Sequence, residues 1–334
     1  MGGRLPSPVG LPFVGDRSQE VAIGIYILRR LVLLVPILLA ISFISFSLIH
    51  LAPGDPAEVA LRAMGAQLTQ DAIQAMRTQL GLDDPFLVQY IRWLARVLRL
   101  DFGASVRTGT PVAELLLTRL PATIELATAS FLLAVLLALP LGVVAAVRQH
   151  TPIDHISRVF ALGGASMPGF WLALILIYLF AVKLDWLPAL GRGDGRHLIL
   201  PAVTLSMGIA PTYSRLLRAS MCEVLSQPHI LTARAKGLSN QAVILGHALR
   251  NALIPFVTVL GISFAHLLGG AVVVETIFSW PGIGKLAVDA ILTRDFPVVQ
   301  GFVLISALIF VVANLVVDLS YRWLDPRIRL TGGG

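Results

Sequence analysis

The chain has 334 residues, 56% hydrophobic and only 13% charged, against about 25% charged in a soluble domain, so a membrane is the solvent its composition demands. Its formal charge of +7 does not indicate nucleic acid, because the arginines lie at the ends of apolar runs and do not gather into a basic domain. A single cysteine, Cys222, excludes an intramolecular disulfide and a cysteine metal cage.

Residues 1–23, rich in Gly and Pro, read as a flexible cytoplasmic extension, and 331–334 as a flexible tail. Between them stand six apolar segments, at about 25–49, 121–147, 160–183, 198–218, 250–275 and 299–319. Each meets the roughly 20 residues a helix needs to cross a hydrocarbon core of about 30 Å. The first is too long for a cleaved secretory signal. The fourth is the weakest, since Pro201, Ser206, Gly208, Pro211 and Thr212 interrupt it, and such a segment is tolerable only against protein or a water-lined path. The expected fold is therefore all-α, a polytopic membrane protein with six transmembrane helices.

Arg29 and Arg30, then Arg148 and Arg158, then Arg215, Arg218, Arg234, Lys236 and Arg250, then Arg322, Arg327 and Arg329 flank these segments. With an even number of crossings all four clusters share one side, which predicts cytoplasmic termini by the positive-inside bias. The outer side then receives 50–120, 184–197 and 276–298. In the first of these, Leu87, Ile91, Leu94 and Leu98 recur at helical spacing, with Arg92, Arg96 and Arg99 elsewhere on the helix, and predict a helix that lies on the membrane or on neighbouring crossings or else grips substrate. In the last, Glu275, Trp280, Pro281 and Gly282 introduce a short helix and read as a packed cap over two crossings or as an external gate.

The strongest signal lies at 227–250. Pro228 limits the preceding helix, a short helix follows over 229–236, and Gly237 can close it in a left-handed conformation. Ser239 can cap a further helix over 240–250 that leads into the fifth crossing. The small residues Ala233, Ala235 and Gly237 permit close approach of another surface, and Arg234 and Lys236 add charged contacts. Either a simple interfacial loop or a docking protrusion for a soluble partner fits this pattern.

The run Thr232-Ala-Arg-Ala-Lys-Gly-Leu-Ser239, followed by His247-Ala-Leu-Arg-Asn-Ala-Leu-Ile-Pro255, resembles the coupling loop of permease subunits in ABC importers for dipeptides, oligopeptides, glutathione and nickel. Leu51-Ala-Pro-Gly-Asp-Pro56, Gln79-Leu-Gly-Leu-Asp-Asp-Pro85, Asp101-Phe-Gly-Ala-Ser105, Arg119-Leu-Pro-Ala-Thr123 and Val274-Glu-Thr-Ile-Phe-Ser-Trp-Pro-Gly-Ile-Gly284 extend the resemblance over about 24–330, closest to the dipeptide and glutathione branch. It implies a type I importer transmembrane domain in a bacterial or archaeal cell membrane. The implied partners are a related second permease, two ATPase subunits or domains, an extracytoplasmic solute-binding protein and membrane lipid. The ATPase contacts would be His229, Thr232, Ala233, Arg234, Ala235, Lys236, Gly237, Leu238 and Ser239, with His229 where the branch often has tyrosine. ATP and Mg would bind the partners, because Gly282-Ile-Gly284-Lys285 lacks the spacing of a phosphate-binding loop. Short peptides are the leading cargo, nickel or a nickel chelate the alternative, and a non-transporting scaffold or receptor the reading from another class.

Ionisable and polar groups within the segments are functional candidates by cost alone. Glu125 reads as a structural acceptor or a pathway residue, and His266, with Ser263 on its face, as a buried neutral histidine or a pore group. Asn314 and Asp318 share a face and could fix helices or pair with Arg215 or Arg218; Tyr213 and Arg215 could line an inner gate. Gly163, Gly164, Gly261, Gly269 and Gly270 suggest close helix approach. No catalytic set and no metal-ligand motif emerges, so the chain reads as a pore subunit without its own enzymatic site.

Overall fold

A computed structural model describes residues 17–51 and 54–324. They form α1 (Arg17–Leu51), α2 (Pro56–Ala63), α3 (Gln70–Leu80), α4 (Phe86–Val97), α5 (Val112–Val147), α6 (Pro152–Ser166) and α7 (Gly169–Leu176). A π-helical stretch, Ile177–Lys183, prolongs α7, and α8 (Arg196–Met207), α9 (Ala210–Leu225), α10 (Pro228–Ala235) and α11 (Asn240–Ala242) follow. A second π stretch, Val243–Ala248, joins α11 to α12 (Leu249–Ile277), and α13 (Ile283–Thr293) and α14 (Phe296–Leu324) complete the chain. One antiparallel bridge links Ala104 and Pro111. The extensions expected at 1–23 and 331–334 lie outside the described residues, apart from the start of α1.

Among the described residues, Val112–Val147 and Phe296–Leu315 are each long and apolar enough to cross a membrane, and α1 adds a shorter apolar stretch, Val32–Leu48. The segment expected to cross at 160–183 is not one helix. Pro168 lacks the N–H that would continue the ladder and pushes Met167 to an extended conformation (φ −85°, ψ 123°), so α6 ends at Ser166 and α7 leaves at a bend of 103°. The segment expected at 198–218 is likewise divided, at Gly208–Ile209, between α8 and α9.

α5 is the axis. Its buried side is made of small residues, Ser130, Ala134, Ala138, Gly142, Ala145 and Ala146 among them. A Cβ on Gly142 would stand 2.9 Å from Leu217 Cβ and 3.0 Å from the Ser214 carbonyl oxygen, so α9 packs almost backbone to backbone. Small residues do this where lipid removes the hydrophobic drive and close contact must hold helices together. Gly164 makes a similar approach to Pro211 of α9 (2.7 Å from Cγ), whereas Gly163 and Gly269 meet nothing within 4 Å and do not. The side chain positions at 261 and 270 lie outside the described residues.

The predicted outer segment is a small helical layer. Asp55 caps α2 by accepting from the Ala57 amide (2.9 Å) and pairs with Arg77 of α3 (2.7 Å), which also reaches Asp83 (3.3 Å). Asp84 pairs with Arg92 (2.7 Å). Leu87, Ile91 and Leu98 of the aliphatic row of α4 do not pack on another crossing among the described residues and are exposed, whereas the opposite row of Phe86, Tyr90 and Trp93 meets Phe43, Phe46 and His50 of α1 in edge-on and tilted ring contacts. The aromatic row wins because each ring removes more area from water and finds complementary rings on α1.

Candidate functional site

The 227–250 segment projects from a buried root. Ile230 and Ala233 of α10, with Val243 and Ala248 of the π stretch, sink into the same cluster as Tyr213, Leu217 and Met221 of α9. Gln227 is extended (φ −75°, ψ 149°) and Pro228 starts α10; Lys236 ends it, Gly237 takes φ +81°, and the Ser239 hydroxyl caps α11 by accepting from the Ala242 amide (3.3 Å). Only glycine adopts that φ without a Cβ clash. His229 lies 3.4 Å (Nε2) from Asn251 Nδ2 and so ties the root to α12.

Every residue from Arg234 to Ala242 is exposed, and so are Leu231 and Leu238. Of the nine predicted contact residues, Ala233 belongs to the root; the other eight lie on the exposed surface of the arm. Arg234 and Lys236 make no ion pair among the described residues. Two free cations, exposed leucines and small residues on a rigid root make a surface that a soluble protein can grip. The helix expected over 240–250 is one α turn followed by a π stretch, which widens the helix where it enters α12.

Beside the root lies a clamp missed at sequence level. Asp154, fully buried in the first turn of α6, accepts from Arg218 of α9 (2.7 and 2.9 Å), from Arg158 (2.5 and 3.3 Å) and from the His150 amide (3.1 Å). The Arg218 guanidinium, and after it that of Arg158, holds the Asp154 carboxyl far below the usual carboxylate range against the opposing effect of burial. Arg218 is thus satisfied by Asp154. The Asp154–Arg158 spacing of i, i+4 was a visible signal; the Arg218 partner, 64 residues away, was not.

At the other end, Glu275 is fully buried at the end of α12. It accepts from the Thr123 hydroxyl (2.6 Å) and from the Lys285 amide at the start of α13 (3.0 Å), while Thr123 accepts from the Ile283 amide (2.9 Å). Trp280 is buried and donates its indole N–H to the Ala122 carbonyl (2.8 Å). The carboxylate therefore seats α13 on α5, and Gly282 and Gly284 are required beside it: a Cβ on Gly282 would fall 2.2 Å from Glu275 Oε1, and one on Gly284 would fall 2.7 Å from Val272 Cα. Pro281 lies in the turn between α12 and α13. Nearby, Ser105 donates a short hydrogen bond to Asp295, whose other oxygen takes the Val106 amide (3.1 Å).

Glu125 pairs with Arg192 (2.5 Å), and that guanidinium lies 5.8 Å from the Trp280 ring, so α5 meets the segments that follow α7 and α12. Tyr213 and Arg215 are not brought together: Tyr213 is buried edge-on to Phe256 (5.9 Å), and Arg215 is exposed. Asn314 donates to the Phe310 carbonyl of its own helix (2.8 Å) and lines a cleft of about 660 Å³ with Leu34, Ile41, Phe302 and Ser306. The side chains of His266 and Asp318 lie outside the described residues.

A family model described as the binding-protein-dependent transport system inner membrane component matches residues 138–330, and one for the N-terminal part of such components matches 24–127. The chain is 42% identical over 304 residues to the glutathione transport system permease protein GsiC of Salmonella paratyphi A, covering 91% of this chain and 98% of that one. It is 44% identical over 314 residues to a probable peptide ABC transporter permease of Sinorhizobium fredii, covering 92% and 99%. It is 42% identical over 332 residues to the dipeptide transport system permease protein DppB of Alkalihalophilus pseudofirmus, covering 91% and 99%. Two solved structures share the fold at low identity: an amino acid ABC transporter (TM-score 0.51, 16% identity, 63% of this chain and 94% of the other) and the inward-facing MetNI methionine ABC transporter (0.52, 21%, 63% and 96%). With both segments of the chain matched and relatives aligned over almost their whole length, this protein belongs to the family of binding-protein-dependent transport system inner membrane components.

Proposed function

We propose that the chain is a permease subunit forming half of the pore of an ATP-driven importer for dipeptides or other short peptides, glutathione among them. The observation that carries this reading is the arm, whose exposed run 234–242 stands on a buried root and offers a soluble ATPase a firm surface. The names of the relatives, which are glutathione, peptide and dipeptide permeases, supply the cargo class. In this reading six crossings place both termini and the arm in the cytoplasm. A related second permease completes the pore, two ATPase subunits or domains bind ATP and Mg, and an extracytoplasmic binding protein delivers cargo to the outer face.

In this reading each part has a task. The arm takes the push of the ATPases, α9 carries it to the clamp at Asp154, and the α13 seat held by Glu275 keeps the outer ends of α5 and α12 in register. The chain's own residues perform no chemistry on the cargo.

Reconstitution with the partner subunits in liposomes tests this. Labelled dipeptide should accumulate only with ATP. Accumulation of nickel without peptide would overturn the cargo, and failure of the chain to recruit any ATPase would overturn the coupling role.

A further inference from the structure

The exposed row of α4 faces a direction that α1 fixes. Phe86, Tyr90 and Trp93 all meet the one ring of Phe46 (5.4, 5.6 and 5.4 Å between centroids), so α4 crosses α1. At the crossing Gln89 bonds to His50 (3.0 Å) near the C-terminal end of α1, while the Tyr90 hydroxyl bonds to that of Ser42 (2.8 Å), about 12 Å of helix rise deeper. Successive side chains of a helix turn by about 100°, so α1 lies between the directions of Gln89 and Tyr90 and the roll of α4 is set. Leu87, Ile91, Leu94 and Leu98 then point down along α1, toward the level of Leu39, and Arg92, Arg96 and Arg99 point up, toward the level of His50.

That direction says what covers the row. Val32–Leu48 is the apolar stretch of α1, so Leu39 lies near its middle and Leu48 at its outer limit. Tyr90 reaches Ser42 and comes within 3.5 Å of the Leu39 carbonyl, which places the underside of α4 in the outer half of the hydrocarbon. There Leu87, Ile91 and Leu98 (62, 64 and 77% exposed) continue the exposed surface of Leu39 and Phe43 on α1. On the upper side Arg92 pairs with Asp84 (2.7 Å), whereas Arg96 and Arg99 are exposed and make no ion pair among the described residues. The outer leaflet of a bilayer holding anionic phospholipid presents the matching chemistries in the same order, acyl chains below and phosphates above.

We propose that α4 is an interfacial anchor that binds anionic phospholipid in the outer leaflet. Leu87, Ile91 and Leu98 rest on the acyl chains, and the guanidinium groups of Arg96 and Arg99 donate to the phosphate oxygens above them. Tyr90 and Trp93, held between this anchor and α1, keep the outer end of α1 at a set depth. The level is taken from α1 as a crossing with its C-terminal end outside, so this inference rests on the importer reading.

The test uses the whole transporter in vesicles of phosphatidylcholine with a minor share of phosphatidylglycerol. A fluorophore is attached to Ile91→Cys, or to Leu98→Cys as a second position, in a Cys222→Ser background, and one lipid or the other carries brominated acyl chains that quench on contact. Both lipids should quench, with phosphatidylglycerol enriched at the fluorophore over its share of the bilayer. Arg96→Gln and Arg99→Gln should each lower that enrichment about fivefold, the factor expected for one cation beside an anionic surface, and leave quenching by phosphatidylcholine chains in place. No quenching by either lipid would mean that water or the second permease covers the row. Equal quenching by the two lipids, or an enrichment that survives both substitutions, would mean that the arginines select no headgroup, and each of these results overturns the proposal. Uptake of labelled dipeptide by the Cys222→Ser complex is measured separately: its absence would refute the importer reading, while the quenching alone decides where α4 lies.

Discussion

Replacing Gly282 with Ala should destabilise the protein through one buried carboxylate. The backbone at 282 is extended (φ −91°, ψ 178°), so alanine meets no backbone strain and the effect is purely steric. Its Cβ would lie 2.2 Å from Glu275 Cδ, 2.2 Å from Oε1 and 2.3 Å from Oε2, and the carboxylate must move by more than an ångström. It cannot do so and keep the Thr123 hydroxyl at 2.6 Å and the Lys285 amide at 3.0 Å. Each buried partner left unmatched costs about 1–3 kcal/mol, so the variant should lose about 2–6 kcal/mol. Thermal unfolding of the purified protein in detergent measures the loss, and a double-mutant cycle with Glu275→Ala assigns it. In the Glu275→Ala background the added methyl enters vacated space and should cost far less, a coupling of about 0.5–3 kcal/mol. A loss below about 0.5 kcal/mol in the single variant, or strict additivity in the pair, would refute the seat as described.

Asp154→Asn should cost about 2–3 kcal/mol, less than the 3–5 kcal/mol of a fully buried pair because Arg158 and Arg218 both reach water. The native pKa of Asp154 is depressed, so its contribution is complete above the unfolded value of about 4 and fades as pH falls toward the folded one; unfolding measured from pH 8 to pH 5 should show a constant gap between wild type and variant. Gly237→Val should strain the turn by about 1–2 kcal/mol and lower peptide taken up per ATP hydrolysed, with membrane insertion, read by fractionation, unchanged. Trp93→Ala should cost about 3–5 kcal/mol in detergent unfolding, whereas Ile91→Ala on the exposed row should fall within about 0.5 kcal/mol.

The arm was legible in the sequence because its determinants are local. Pro228 starts α10, Gly237 turns the chain and Ser239 caps the next helix, all within a few residues of the bonds they control. The α13 seat was legible only as punctuation. Glycines at 282 and 284 announce a turn, but the reason for them is a carboxylate bonded to a hydroxyl 152 residues earlier, and no local pattern carries that distance. α4 was legible in part. Its period was readable, yet the helix has two apolar rows, and the choice between them belongs to the aromatic residues of α1.

Proline alone did not decide where helices stop. α5 continues through Pro121 and Pro140, α8 through Pro201 and α12 through Pro255, whereas the chain breaks at Pro168. The difference lies in the neighbours. α5 is flanked along its length by α8 and α9, so packing keeps the helix continuous where the prolines remove hydrogen bonds. α6 packs chiefly on α9 and α7 chiefly on α8, and those two are themselves divided at Gly208–Ile209. One broken helix thus rests on another, and the two breaks coincide. Asp154 ties α6 to α9 on the side that carries the arm, while α7 and α8 pack with α12 on the side that carries the α13 seat. The joint between these two units is a property of four helices together, which is why no single segment of the sequence announced it.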